Sequence, residues 1–175
     1  MATAWFLDVD GVLSPFGRGG AFTDWVQVPH ERYELWLSPT QSGLIRGILE
    51  RTGAELIWVT TWAEDVAEYV EPALGWPTHR FAPRPHAEVS GEERSSSGLW
   101  WKLEAVAGLL EELQPDRFVW SDDDHPLYEA DVHRVLGGFD ALGLVQAPRP
   151  HVGLSRGWLR EAEEHLSGGL ASSEN

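Results

Sequence analysis

Cysteine is absent from the 175-residue chain, which excludes disulfides and thiolate metal sites alike. Positive charge is scarce. Only 13 Lys and Arg stand against 28 Asp and Glu, for a formal net charge of −15, and Lys102 is the sole lysine. A polyanion gains affinity from basic residues that neutralise its phosphates, so this balance argues against non-specific binding of nucleic acid. No apolar run approaches the roughly 20 residues of a membrane span. The amino terminus lacks a basic stretch ahead of a cleavable apolar segment, so no secretory leader is expected. These absences point to a cytoplasmic protein with a small partner and no membrane, and they fix no oligomeric state.

What the chain does have is core material. An apolar fraction of 42% with ten tryptophans is far from the composition of a disordered segment. The length suits one domain, expected over residues 1–167, with a small polar tail at 168–175 expected to fray. No internal repeat is visible.

The stretch Trp5-Phe6-Leu7-Asp8-Val9-Asp10-Gly11 carries the densest information. Trp5 to Leu7 reads as a strand buried on both faces. Asp8 then sits at its carboxyl edge, where open α/β sheets bind ligands. Asp10 follows two positions later, and Gly11 lets the backbone turn away tightly. Two carboxylates so placed repel one another unless a cation or a shared proton intervenes. Magnesium, a hard cation usually shared with a phosphate, suits that role.

The pattern downstream alternates strands and helices. Trp25–Val28 and Tyr33–Leu37 predict a hairpin turning at residues 29–32. Ser38, Pro39 and Gln41 form a helix start with a capping box, and Leu44, Ile45, Ile48 and Leu49 give that helix one apolar stripe up to a stop at Gly53. Glu55–Val59 is a second buried strand ending in Thr60-Thr61. Ala63–Ala73 reads as a helix and residues 78–82 as a short strand. Residues 83–97, rich in Pro and Ser, predict a mobile loop. Leu99, Leu103, Val106, Leu110 and Leu113 mark a helix over 98–114. Arg117–Trp120 is a third buried strand, ending in Ser121-Asp122-Asp123-Asp124. A helix over 126–136, a strand over 142–147 and an amphipathic helix capped by Ser155 complete the chain. The order implies an α/β fold, a Rossmann-like three-layer sandwich with a central parallel sheet of about five strands.

In such a sheet all strand carboxyl ends share one edge, so Asp8 with Asp10, Thr60, and Asp122 with Asp123 converge there. Lys102 opens the helix before the third of these strands. The order Asp-x-Asp, Thr, Lys, Asp-Asp resembles the four motifs of the haloacid dehalogenase superfamily, over roughly residues 5–124. The resemblance implies a hairpin flap over about 14–37 and a minimal cap in the 74–98 interval. It also implies that Asp8 is a nucleophile forming an aspartyl-phosphate and that Asp10 is the general acid and base. By the same resemblance Thr60 and Lys102 bind and balance the phosphoryl group. The resemblance further implies that magnesium would be held by Asp8, the Asp10 carbonyl and Asp122, with Asp123 close behind. Thr61 in place of Thr60, and Asp124 in place of Asp123, remain open registers, with Asp124 otherwise expected to cap the following helix.

A carboxylate at Asp10 is a mark of the superfamily's phosphatases, since a halide leaving group needs no acid. The segments Trp58–Trp62, Trp120–Asp124 and Val152–Ser155 resemble a group of small, mostly bacterial members. The expected activity is magnesium-dependent hydrolysis of a small phosphomonoester. The alternative is a weak or inactive member that binds phosphate, metal or a partner. A receiver domain gathers similar groups but in a different order, with its lysine last. Trp62, Trp100 and Trp101 could stack on a substrate ring, but core packing or a hydrophobic rim is the expected role for them. His79, Arg80, Arg84 and His86 form the only basic concentration.

Overall fold

The computed structural model describes residues 2–17, 20–30, 34–83 and 98–169. Five strands form the central sheet: β1 (Thr3–Leu7), β4 (Glu55–Trp58), β5 (Arg80–Phe81), β6 (Arg117–Ser121) and β7 (Leu142–Gln146). Their order is β5-β4-β1-β6-β7 and every pairing is parallel. The aspartate-bearing β1 therefore lies in the middle, as the sequence implies. Leu7 pairs with Trp58 on one side and Ser121 on the other, so the chain leaves all three strands at the same level.

Period-two alternation divides the sheet residues between two cores. Trp5, Leu7, Leu56, Trp58 and Val119 face one side, where Ile45 and Ile48 of α1 (Pro39–Thr52) pack. Leu159, Ala162 and Leu166 of α5 (Arg156–Leu166) complete that layer. Ala4, Phe6, Ile57, Phe118 and Trp120 face the other side. There they meet Leu103, Val106 and Leu110 of α3 (Trp101–Leu113) and Val132 of α4 (Glu129–Leu136). With both faces covered, β1 has no exposed side chain, which is why its sequence reads as continuous apolar residues. A buried polar chain ties three strands together. Trp5 Nε1 donates to Ser121 Oγ (3.0 Å), which donates to Gln146 Oε1 (2.9 Å).

The expected hairpin is present as an antiparallel pair outside the main sheet, β2 (Val26–Val28) with β3 (Leu35–Leu37). Tyr33 lies outside the described residues. So do Arg84, His86, the 84–97 part of the loop expected to be mobile, and residues 170–175 of the tail.

Three local expectations need correction. Ser38 caps α1 by accepting the Gln41 N–H at 3.1 Å, but the capping box does not close. Gln41 is fully buried and its amide donates to Leu154 O at 2.9 Å, satisfying a polar group that has no route to water. The helix expected from Ala63 starts later, because Ala63 adopts a left-handed φ of 46°. It then runs as a π-helical turn, Val66–Val70, into the short α2, Glu71–Leu74. Pro72 supplies the physical reason: it lacks an N–H and its ring crowds the carbonyl four residues back, and a wide turn relieves both. The helix expected over 126–136 is split into a 3₁₀ turn at His125–Leu127 and α4.

Candidate active site

Asp8 leaves β1 buried, with 3% of its surface exposed. Its Oδ1 accepts the Val9 N–H at 2.7 Å and its Oδ2 accepts Lys102 Nζ at 2.6 Å. Lys102 reaches this point because α3 runs back along the sheet, so its first turn lies at the strands' carboxyl edge. The ammonium is buried too, and it also donates to Asp122 Oδ2 at 2.8 Å. Asp122 follows β6 directly, is fully buried, and its Oδ1 accepts the Asp124 N–H at 3.1 Å. Carboxylate oxygens of Asp8, Asp122 and Asp123 all lie within 4.8 Å of one another.

Three carboxylates thus face one ammonium, and the titration behaviour follows from that imbalance. Burial pushes Asp122 well above the usual carboxylate range; Lys102 opposes the rise and the charge of Asp8 adds to it. Burial, then Asp8 and Asp124, push Asp123 up to about 7. Burial disfavours the Lys102 ammonium, but its attraction to Asp8 and Asp122, with the hydrogen bonds to both, raises its pKa above the ordinary value. An all-oxygen set carrying excess negative charge fits a hard divalent cation.

Asp10 stands apart from this group. Its Oδ2 accepts the Trp62 Nε1–H at 2.8 Å. Burial raises its pKa most, the Trp62 hydrogen bond lowers it, Asp8 raises it and Lys102 lowers it. Gly11, next in the chain, has φ of 68°, and its N–H donates to Ser14 O at 2.8 Å. A Cβ there would sit 2.2 Å from Asp123 Oδ2. Glycine is required twice over, for the left-handed turn and for the approach of Asp123.

Thr60 is buried and Thr61 exposed. The Thr60 hydroxyl accepts the Trp62 N–H at 3.4 Å, so the buried member of the threonine pair is the one turned into the protein. Asp123, not Asp124, joins Asp8 and Asp122. Asp124 does precede the 3₁₀ turn, but its side chain makes no capping hydrogen bond. The expectation that it caps is therefore corrected: the carboxylate of Asp122 accepts the backbone N–H there instead.

The tryptophans take the expected packing role. Trp100 is 1% exposed and stacks between Trp120 (5.3 Å between centroids) and Tyr128 (4.5 Å), so it has no free face for a substrate. Trp101 is buried as well. His79 is held by the buried Glu71 through its N–H (2.7 Å) and ring (3.1 Å), and Arg80 by Glu112 (2.6 Å). Sequence reasoning missed the indole N–H of Trp62 as a partner of Asp10. The adjacency of Trp62 to Thr60-Thr61 was its one visible signal.

The family described as the HAD domain in Swiss Army Knife RNA repair proteins matches residues 5–165. The chain belongs to this family of the haloacid dehalogenase (HAD) superfamily. A search of curated proteins finds no match. Among solved structures, the HAD chain is similar to a Legionella pneumophila protein described as a candidate HAD superfamily (subfamily III A) hydrolase. That pair shares 18% identity with a TM-score of 0.46, covering 97% of this chain and 83% of the other. A Pseudomonas syringae protein described as a candidate YrbI-family phosphatase is also similar, at 18% identity and a TM-score of 0.44, covering 97% and 88%. No described helix is long and apolar enough to cross a membrane.

Proposed function

We propose that the protein is a magnesium-dependent phosphohydrolase that acts on a small phosphomonoester through an aspartyl-phosphate. The observation that carries this reading is the meeting of Asp8, Lys102, Asp122 and Asp123, drawn from three separate motifs, at one sheet edge.

Asp8 is the nucleophile. One of its carboxylate oxygens attacks phosphorus, and the bond from phosphorus to the leaving alcohol breaks. Asp10 gives that alcohol its proton. The Asp10 carboxylate then takes a proton from water as the water oxygen attacks the phosphoenzyme, releasing inorganic phosphate and regenerating Asp8. Lys102 holds Asp8 in place and balances charge on the phosphoryl oxygens, while Thr60 offers a hydroxyl and a backbone N–H to one of them. Asp8, Asp122 and Asp123, with the Asp10 carbonyl, are the residues that would hold magnesium, which supplies charge neutralisation between Asp8 and the phosphate.

A second reading keeps this chemistry and changes the substrate. The matched family is named for RNA repair proteins, which favours a phosphate at an RNA end. The net charge of −15 opposes a long polyanion, so recognition would be confined to the terminal nucleotide.

The test is hydrolysis of para-nitrophenyl phosphate, small phosphomonoesters and a phosphorylated oligoribonucleotide, with and without magnesium. Activity is expected only with the metal. Asp8→Asn should form no phosphoenzyme, because an amide does not attack phosphorus usefully. Asp10→Asn should accumulate phosphoenzyme from para-nitrophenyl phosphate, whose leaving group departs without a proton, with breakdown slowed about 10²–10⁴-fold. Equal losses from both substitutions on every substrate would replace the covalent route with direct attack by water.

A further inference from the structure

Trp62 is 5% exposed, so its ring offers a substrate no open face. What it offers is one polar atom, the Nε1–H, and that atom is spent on Asp10 Oδ2 at 2.8 Å. An indole N–H only donates. It therefore keeps Oδ2 as an acceptor and leaves Oδ1 to carry the proton passed to a leaving group. The backbone of Trp62 is set by the same turn that buries Thr60, through its N–H to the Thr60 hydroxyl.

The indole is also held from the hairpin. His30 lies between β2 and β3, and its ring centroid is 5.0 Å from that of Trp62 and 4.5 Å from that of Tyr69, both edge-on. Its Nε2 lies 4.0 Å from Asp65 Oδ2. One aromatic contact thus connects the hairpin to the residue that holds Asp10.

We propose that Trp62 is a positioning residue for Asp10, fixing which carboxyl oxygen faces the reaction, and that His30 couples this position to the packing of the hairpin. The inference rests on the phosphatase reading and gives acid–base assistance a support outside the four motifs. A residue acting through Asp10 matters in proportion to the need for a proton. Alkyl phosphates need one on departure; para-nitrophenyl phosphate does not.

The experiment compares kcat/KM, which reports the steps through phosphoenzyme formation, for an alkyl phosphate and for para-nitrophenyl phosphate with magnesium. Trp62→Phe is expected to lower the alkyl value about tenfold or more and the nitrophenyl value less than about threefold, a fraction of what a general acid supplies. In an Asp10→Asn background the same substitution should cost nothing further, because the group it positions is gone. His30→Ala should show the same selectivity with a smaller loss, and it carries the test if Trp62→Phe does not fold. Equal losses on both substrates, or losses that multiply with Asp10→Asn, would overturn the assignment while leaving the phosphatase standing. A wild-type protein that hydrolyses no phosphomonoester would overturn both.

Discussion

Replacing Lys102 with methionine tests the electrostatics of the site without reference to any substrate. Methionine preserves the length and apolar stem of the side chain but removes the cation that hydrogen-bonds Asp8 at 2.6 Å and Asp122 at 2.8 Å. Both carboxylates are buried. Breaking a buried pair by removing one partner costs about 3–5 kcal/mol, since the remaining charge stays desolvated and uncompensated. For a domain of this size about 2–4 °C accompanies each kcal/mol, giving an expected fall in Tm of about 6–20 °C near neutral pH without metal. Two dependences identify the cause. Asp122 and Asp123 have folded-state pKa values above the ordinary range, Asp123 at about 7, so below that pH the native state binds more protons than the unfolded chain. Stability contributed by these groups therefore rises as pH falls from 7 towards 4. Lys102 holds both values down, so its loss makes that rise steeper, and the Lys102→Met deficit should shrink over that window. Saturating magnesium, at a hundredfold excess over Kd, should return about 2.7 kcal/mol. Thermal denaturation followed by circular dichroism at several pH values, with and without metal, measures all three. A Tm unchanged at neutral pH, or a deficit that grows on acidification, would refute the account of Lys102 as counter-charge to the buried carboxyl groups of Asp8 and Asp122.

Gly11→Ala places a methyl 2.2 Å from Asp123 Oδ2 at a φ of 68°; isothermal titration should show weaker magnesium binding with the fold retained. His125 is 4% exposed, and burial pushes it down to about 4, opposed by its contact with the Trp120 carbonyl and reinforced by Lys102. The unfolded chain, titrating near 6.5, binds a proton between those values that the native state refuses, so the contribution of His125 to stability falls as pH falls across that window. His125→Phe should remove up to about 3 kcal/mol of that acid-side loss, read from urea midpoints at pH 7 and 4.5, and identical slopes in the two proteins would refute it.

The elements that could be read from the sequence are those whose side chains all face apolar surroundings. Trp5–Leu7, Leu56–Val59 and Phe118–Trp120 form near-continuous apolar runs because helices cover both sides of the sheet, and each run gives way to a polar residue at the carboxyl edge. β1 is central because β4 and β6 pair with it on either side, and their common parallel direction is why Asp8, Thr60 and Asp122 share an edge. What failed to show were arrangements set by contacts distant in sequence. Gln41 has the right spacing for a capping box, but its amide is claimed by Leu154, 113 residues away. The Ala63 helix carries the expected stripe of Val66, Tyr69 and Val70, yet nothing local announces the π-turn except Pro72. Among site residues, the choices Thr60 over Thr61 and Asp123 over Asp124 were open because adjacent identical residues have identical propensities; only the direction of each turn separates them. Trp62 was visible as an aromatic ring and not as a donor, since the partner of an indole N–H is a property of the folded chain.

The two aspartates of the first motif, two residues apart, receive opposite kinds of partner. Asp8 is given an ammonium and lies within a group of carboxylates suited to a dication. Asp10 is given a neutral indole, and burial is the largest influence on its proton, raising its pKa. A nucleophilic carboxylate must reach phosphorus without its proton, whereas a general acid must arrive with one. Nearby carboxyl groups whose surroundings differ in this way can divide those two tasks. The division depends on Gly11, since the left-handed turn there lets Asp123 lie against the backbone beside Asp8 while the Asp10 side chain meets Trp62. Had both carboxyls faced Lys102, one ammonium would have been shared among Asp8, Asp10 and Asp122, and the acid would have been pulled towards its ionised form. The placement of Asp10 on a donor without charge is thus what the proposed two-step chemistry requires of this turn.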